Sequence, residues 1–514
     1  AAVRLSNLAV FRMGELSELE VPAEKKKARE VKTLKGAFYF LLRDKPGDLN
    51  IHTPTASAAL RGTEFNVQVE TDGRTVLMVF DGEVELSSEQ GQVRLNSGEQ
   101  GVVELGRPPA KTAVINAVNA IQWCLYYPAV LDVDELVLTE AEKRVLANSL
   151  EAYRSGDLPG AVARYPAARE PASDSERLYL AALLLSVGQV EQAEAWLAKA
   201  GQVSSLSREG DQGRHAESGA RPDAWPTALA EALRRLVAAV KFQEWPHQSN
   251  QGLLRPAATK VGGQATRVTL ATESMAESYY QQSRGDLQAA LAAAKAATQK
   301  SPTFGFAWVR VAELEFSFGR VAGAMAALNR GSSLTPQNAQ AVALKGFLSS
   351  AQNKLAEALR CFEQAIALDG ALGNAWLGRG LCRIRQGQAE PGREDLQIAA
   401  ALEPQRALLR SYLGKAFHHA GSAASAEREL SLAERLDLND PTPWLYSSLL
   451  NREQNRLNQA VRDLERSQAL NDNRSVFRSR FLLDQDCAVR SANLAAIYQD
   501  AGMTDVAMRE AARA

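Results

Sequence analysis

The sequence predicts a multidomain chain in two parts: an N-terminal all-β sandwich or roll over residues 1–110, then an all-α superhelical solenoid of helix pairs. Alternation predicts the first part. In Glu64-Phe65-Asn66-Val67-Gln68-Val69-Glu70 and Glu83-Val84-Glu85-Leu86 apolar and polar residues change places at every step, the period of a half-buried strand. Turn signals at Asp72-Gly73, Asp81-Gly82, Gln90-Gly91 and Ser97-Gly98 separate the runs. Recurrence predicts the second part. Trp308, Ala312 and Ala324 are followed 34 residues later by Val342, Gly346 and Ala358, and after another 34 by Trp376, Gly380 and Gly392. Pro336 and Pro404 lie two such periods apart.

Within the β part, Thr75-Val76-Leu77-Met78-Val79-Phe80 is nearly continuous in apolar residues and reads as a strand covered on both faces. Three blocks in order resemble the FecR-like domain: Thr53 to Phe65, containing Arg61-Gly62-Thr63-Glu64; Val79-Phe80-Asp81-Gly82-Glu83-Val84-Glu85; and Leu95-Asn96-Ser97-Gly98-Glu99-Gln100. The resemblance covers about residues 1–105. It implies an extracytoplasmic sensory or adaptor domain and a periplasmic or outer-membrane-associated location in a bacterium. The best-known relative passes an iron-siderophore signal from an outer-membrane transporter to a sigma-factor system. Here neither a transmembrane helix nor a cytoplasmic anti-sigma segment is visible, and helical repeats follow instead. Two readings of Arg61-Gly62-Thr63-Glu64 stay open: a ligand-contacting turn, or a kink at Gly62 with Arg61 paired to a carboxylate.

Gly106-Arg107-Pro108-Pro109 reads as a linker, and residues 111–138 as a helical linker in which Ala113 to Leu125 shows helical spacing before Pro128. Thr139-Glu140-Ala141-Glu142 is a capping box opening the first repeat units, 139–200. Residues 201–270 read as a loop-rich insertion with one amphipathic helix, Pro226 to Val240. The array resumes over 271–514, interrupted by extra residues from Arg474 to Asp486. A 34-residue unit with small residues at its eighth and twentieth places and proline at its end resembles the tetratricopeptide repeat. Small residues let the paired helices approach. Gly319, Gly387 and Gly421 stand where the first helix ends and a left-handed residue is favoured. The chain begins Ala1-Ala2-Val3 and stops at Ala514 inside a repeat, so a missing C-terminal part is expected.

Composition narrows the function. The net charge of −1 supplies no field to recruit nucleic acid or an anionic membrane. No run approaches the roughly 18 apolar residues a spanning helix needs. The four cysteines, Cys124, Cys361, Cys382 and Cys487, form no CxxC; Cys361 and Cys382 fall on adjacent repeats, which leaves a disulfide between them open, and buried thiols are the expectation there. GxSxG, HExxH and phosphate-loop motifs are absent. His418 and His419 are adjacent, so they are expected to point to different helix faces and to make a poor metal site. Neither catalysis nor a cofactor nor a metal is expected.

What remains is the groove. In a tetratricopeptide superhelix the second, fifth, ninth and twelfth places of each first helix line the concave face. Those places hold Met275, Tyr279, Phe306, Val309, Phe316 and Phe347, then Leu377, Leu381 and Ile384, with Lys415, His418 and Arg452 as polar neighbours. Val309, Glu313, Ala343 and Phe347 stand where the carboxylate-clamp type of repeat needs lysine and asparagine. An apolar, aromatic stripe is expected to bind a protein or peptide, or to pack against another part of this same protein. On the first reading, truncating Phe306 and Phe347 weakens binding, spares the fold, and leaves binding insensitive to salt. The function these features imply is a non-catalytic scaffold or adaptor at a bacterial cell envelope. The alternatives are an extracytoplasmic sensor or regulator taking a small ligand or signalling partner through the β domain, and a glycan-recognition module.

Overall fold

The computed structural model describes residues 2–6, 9–14, 17–20, 30–42, 50–113, 125–167, 169–200, 225–245, 259–261, 264–266, 270–470 and 487–512. They form two compact units. One comprises Ala1–Leu125, Ser349–Asp472 and Ser479–Ala514; the other comprises Tyr126–Leu348 and Asn473–Arg478. The first part of the insertion, 201–224, and the interruption from Arg474 to Asp486 lie outside the described residues.

The β part of the first unit has β1 (Ala2–Ser6), β2 (Ala9–Met13), β3 (Glu18–Glu20), β4 (Glu30–Leu42) and β5 (Asn50–His52). It continues with β6 (Ser57–Val69), β7 (Thr75–Ser88), β8 (Gly91–Asn96), β9 (Glu99–Val103) and β10 (Ala110–Ala113). They make one hydrogen-bonded sheet in the order β1-β2-β4-β5-β6-β7-β9-β10, with β3 on β4 and β8 on β7. Two sequence signals act differently from their reading. Asp81-Gly82 is not a turn but a bend inside β7: Gly82 has φ +97°, and the register with β6 shifts between Arg61 and Glu64. A bulge bends a strand, so the two halves of β7 can serve different neighbours. Thr75 to Met78 pair with β9, and Glu83 to Ser88 pair with β8. Gly106-Arg107-Pro108-Pro109 links no domains; it joins β9 to β10, which pair as a hairpin. Ala113 ends that strand rather than opening a helix, and 114–124 lie outside the described residues. The sheet's core holds Phe11, Phe38, Phe40, Phe65, Val84 and Leu86, with Phe40 stacked on Phe65 at 4.8 Å.

The second unit opens on α1 (Glu140–Val145), α2 (Ala147–Ser155), α3 (Leu158–Ala163), α4 (Asp174–Ser186), α5 (Val190–Lys199) and α6 (Trp225–Val240). The expected capping box starts it: the Thr139 backbone N–H donates to Glu142 at 2.7 Å, and the Glu142 N–H donates to the Thr139 hydroxyl at 3.2 Å. A short hairpin, β11 (Thr259–Val261) with β12 (Gln264–Thr266), stands in the stretch read as loop. The regular repeats are α7 (Ala271–Ser283) with α8 (Leu287–Lys300), α9 (Gly305–Ser317) with α10 (Val321–Leu334), and α11 (Ala339–Ala351) with α12 (Leu355–Leu368). They continue as α13 (Gly373–Arg385) with α14 (Ala389–Leu402), α15 (Ala407–His419) with α16 (Ala423–Leu436), and α17 (Pro441–Glu453) with α18 (Leu457–Ala469). A last pair, α19 (Cys487–Asp500) and α20 (Thr504–Ala511), closes the described chain.

Each of the six regular pairs starts 34 residues after the last, and so does the turn inside each. Gly285, Gly319, Gly387 and Gly421 hold left-handed φ there; at the same offset Asn353 (φ +63°) and Asn455 (φ +59°) replace glycine. Asparagine is the residue that best tolerates this geometry after glycine. The small eighth and twentieth residues also do what the repeat requires. A Cβ at Gly380 would stand 2.8 Å from the Gly392 carbonyl, and one at Gly392 would stand 2.6 Å from the Gly380 carbonyl. The α13 and α14 backbones therefore touch. Gly380→Leu is expected to destabilise the chain by roughly 1–3 kcal/mol through overpacking. A chemical melt with an unshifted midpoint would show that this crossing tolerates a side chain.

Candidate functional site

The structure distributes the expected groove residues unevenly. In the second unit, Met275, Val309, Phe316 and Phe347 are at most 5% exposed and Phe306 is 9% exposed, so these side chains form no open apolar stripe. Their burial has identifiable causes. Val309 packs on Gly331 of its own second helix, 2.7 Å from where a Cβ would stand. Phe306 lies against Tyr153 of α2, with ring centroids 5.4 Å apart. Tyr279 is half-buried under the Arg310 guanidinium, 3.9 Å above its ring. Arg310 is itself held by Ser278 at 3.0 Å and by Glu313 at 2.5 Å.

The segment before the repeats covers their helix starts. The Asp132 backbone N–H donates to Thr272 Oγ1 at 2.8 Å. The Glu135 carboxylate accepts the N–H groups of Ala271 and Thr272, capping α7 where Leu270 has no polar side chain. Desolvation pushes the Glu135 pKa up, against the lowering by its bonds to Thr272 and Ala271. Farther along, the Gln337 N–H donates to the Ser155 carbonyl at 2.7 Å, and Gly156, at φ +90°, lies against Asn338. Of the two readings of the stripe, packing against the same chain holds for Phe306.

In the first unit, Leu377 is buried. His418 pairs through Nε2 with Glu453 at 2.7 Å, and Arg452 through Nε with Asp500 at 2.6 Å. The His418 and His419 rings do not diverge; they lie nearly parallel, 5.7 Å apart. Among the described residues no group of side chains could hold a metal ion.

Leu381, Ile384 and Lys415 come together in a pocket of about 450 Å³, between α13, α14, α15 and the end of α11. Helical spacing builds it. Leu381 and Ile384 are one turn apart on α13, and Tyr412, Lys415, Ala416 and His419 form one stripe of α15. Leu396, on α14, completes an apolar wall. The rim is cationic: Arg385, Arg393, Lys415 and, when protonated, His419, with no aspartate or glutamate among the lining residues. Lys415 donates to Tyr446 Oη at 3.2 Å and lies 4.6 Å from that ring's centre. Arg393 is 3.8 Å from Glu390, and its buried Nε has no hydrogen-bond partner. Arg385 is exposed, with no carboxylate at ion-pair distance among the described residues. Near the pocket, Cys382 is a free buried thiol 3.6 Å from Ser350, and burial pushes its pKa up, so it is a poor thiolate nucleophile. Cys361 is likewise buried.

Arg385, Arg393 and His419 were not among the expected groove residues. Arg385 and His419 stand one place beyond the twelfth, and Arg393 is on a second helix, which the groove rule does not consult. The cations in the last turns of α13 and α15 were the available signal.

The β part carries a second constellation within the same unit. Its non-core face is also buried: Tyr39 is 0%, Glu64 2% and Asn66 3% exposed. Helix α14 contacts β1, β2 and β4, and Arg12 donates to the Leu402 carbonyl. Arg410, fully buried on α15, donates to Tyr39 Oη at 3.1 Å, to Glu429 at 3.2 Å and to Glu64. Burial alone would lower the Arg410 pKa; Glu64, Tyr39 and Glu429 raise it above the ordinary arginine value. At the bend of β7, Asp81 pairs with Arg428. Arg410 occupies the fourth place of its repeat, where Trp308 and Trp376 stand in theirs. Each tryptophan Nε1 donates at 3.0 Å to the carbonyl six residues back, and Arg410 Nε does the same to Pro404 at 3.1 Å. The arginine keeps the repeat's hydrogen bond and adds the ion pairs to the sheet.

Comparison with known proteins agrees with the two parts. Residues 1–85 match the FecR protein family. Residues 282–346 match the tetratricopeptide repeat. No curated protein matches. Among solved structures, the chain is similar to the APC/C hetero-tetramer Cut9–Hcn1, at 16% identity and TM-score 0.41 over 72% of this chain and 58% of that one. It is similar to TTC0263, a thermophilic repeat protein of Thermus thermophilus, at 20% identity and TM-score 0.32 over 35% of this chain and 98% of that one. It is also similar to a putative anti-sigma factor from Parabacteroides distasonis, at 20% identity and TM-score 0.22 over 25% of this chain and 63% of that one. None of these likenesses says what this chain binds. A strand-rich N-terminal region followed by a long tetratricopeptide-like helical region is the architecture.

Proposed function

We propose that this chain is a non-catalytic scaffold or adaptor that holds protein partners at a bacterial cell envelope. The observation that carries the reading is the open pocket built by consecutive repeat helices, since tetratricopeptide repeats suggest protein–protein interaction. Envelope placement rests on the match to the FecR family. Among the described residues no helix is long and apolar enough to cross a membrane. The test is in-cell photo-crosslinking from an unnatural residue at the exposed Gln388, beside the pocket, with one at the exposed Leu105 as control, followed by fractionation. Specific adducts to envelope proteins from position 388 are expected; their absence, with the protein folded and expressed, would overturn the scaffold.

The second reading is a sensor or regulator working through the β domain. It is favoured by the burial of Glu64, from the family-like block, against Arg410: a ligand that disturbs the sheet would reach the repeats directly. Calorimetry of the full chain against siderophores and oligosaccharides separates the readings. Saturable micromolar heat would support the sensor.

A further inference from the structure

The pocket on α13, α14 and α15 has a definite chemistry. Its wall is aliphatic, from Leu381, Ile384 and Leu396, and its rim is cationic without a carboxylate of its own. A rim of one sign beside low-dielectric walls concentrates ligands of the opposite sign. Part of the positive charge follows from helix ends: cations in a last turn complement the helix dipole, and Arg385 and His419 stand in such turns. That does not explain Arg393, in the second turn of α14, or Lys415, which is inside α15. The Arg393 Nε is removed from solvent without an acceptor, an arrangement that costs free energy unless one arrives. Lys415 stands at the ninth place of its helix, as Glu313 and Phe347 do in theirs, whereas Arg385 and His419 stand at the thirteenth and Arg393 on a second helix, outside the clamp places.

We propose that the pocket takes a stretch of a protein partner in which a bulky apolar side chain stands beside a carboxylate. The side chain lies on Leu381, Ile384 and Leu396; the carboxylate lies among Arg385, Arg393 and Lys415. A cavity of about 450 Å³ is within the size of specific ligand sites and has room for a large side chain with its neighbour. Charge complementarity favours the acidic peptide over a basic or neutral one. The inference rests on the scaffold reading and specifies what that scaffold holds. Binding through this rim weakens with salt, contrary to the expectation for a purely apolar groove.

The test uses the full chain and an array of peptides in a glycine-serine background, varied at one pair: Phe-Glu, Phe-Gln, Ala-Glu and Phe-Lys. Phe-Glu should be retained about tenfold more strongly than each of the others, as a charge-assisted contact and a buried side chain each allow. Ala389→Trp, which fills the pocket from an exposed position, and Arg385→Glu, which reverses its rim, should each abolish the preference with the thermal melt unchanged. Retention of Phe-Glu no stronger than Phe-Gln, or a preference that survives both substitutions, would overturn the proposal. So would saturation by octanoate without any peptide preference, which would assign the pocket to a small carboxylic acid. Envelope adducts from position 388 alongside a flat array would sink the pocket chemistry and leave the scaffold standing.

Discussion

Arg410→Met is expected to destabilise the β-bearing unit by about 3–5 kcal/mol, the cost of breaking a buried ion pair by removing one partner. The guanidinium is fully buried and donates to Glu64, Glu429, Tyr39 and the Pro404 carbonyl. Methionine of similar length fills the space and supplies none of those donors, so two buried carboxylates keep their desolvation cost and lose their common cation. The triple variant Arg410→Met with Glu64→Gln and Glu429→Gln should recover a large part of the loss, because the charges leave together. Denaturant unfolding should be followed by hydrogen exchange in β6 and by tryptophan fluorescence. The described tryptophans all lie outside the sheet, so the two probes report different parts. Equal midpoints for wild type and Arg410→Met in both probes would show that the ion cluster does not hold the sheet to the helices.

That cluster also shows how far the sequence could be read. The 34-residue period located the regular helix pairs, because the period reports packing inside a repeat, and packing inside a repeat is local. The same period places Arg410 at the offset of Trp308 and Trp376, so an arginine at a tryptophan place was visible. Its partner was not. Glu64 lies hundreds of residues earlier, in a strand whose alternation assigns it to the polar face. Alternation distinguishes a core face from the other face; it does not say whether another element covers the second. Asp81-Gly82 failed for a related reason. A glycine that tolerates positive φ serves a bend within β7 as well as a turn between strands, and only the pairing partners distinguish the two. Asn353 and Asn455 were legible in principle, since asparagine adopts the same backbone as the glycines they replace.

The groove residues were legible as a pattern and not as a surface, and this changes the expected effect of Phe306→Ala. On the sequence alone that substitution weakens partner binding and spares the fold. In the structure Phe306 is 9% exposed and packs on Tyr153, which is 2% exposed and donates through its hydroxyl to the Leu131 carbonyl at 3.1 Å. Phe347 is 1% exposed. Truncating a buried phenylalanine costs about 3–5 kcal/mol, from lost transfer free energy and the cavity left behind. Each single variant should therefore unfold at lower denaturant, and the double variant should lose most of the stability typical of a domain, about 5–15 kcal/mol. Phe306→Leu retains an apolar group and should cost less. The distinguishing measurement is hydrogen exchange across α2. Phe306→Ala should speed exchange there, because α2 loses the ring its Tyr153 rests on, whereas a residue lining an open groove would leave α2 untouched. Unchanged protection of α2 together with an unchanged midpoint would return Phe306 to the surface.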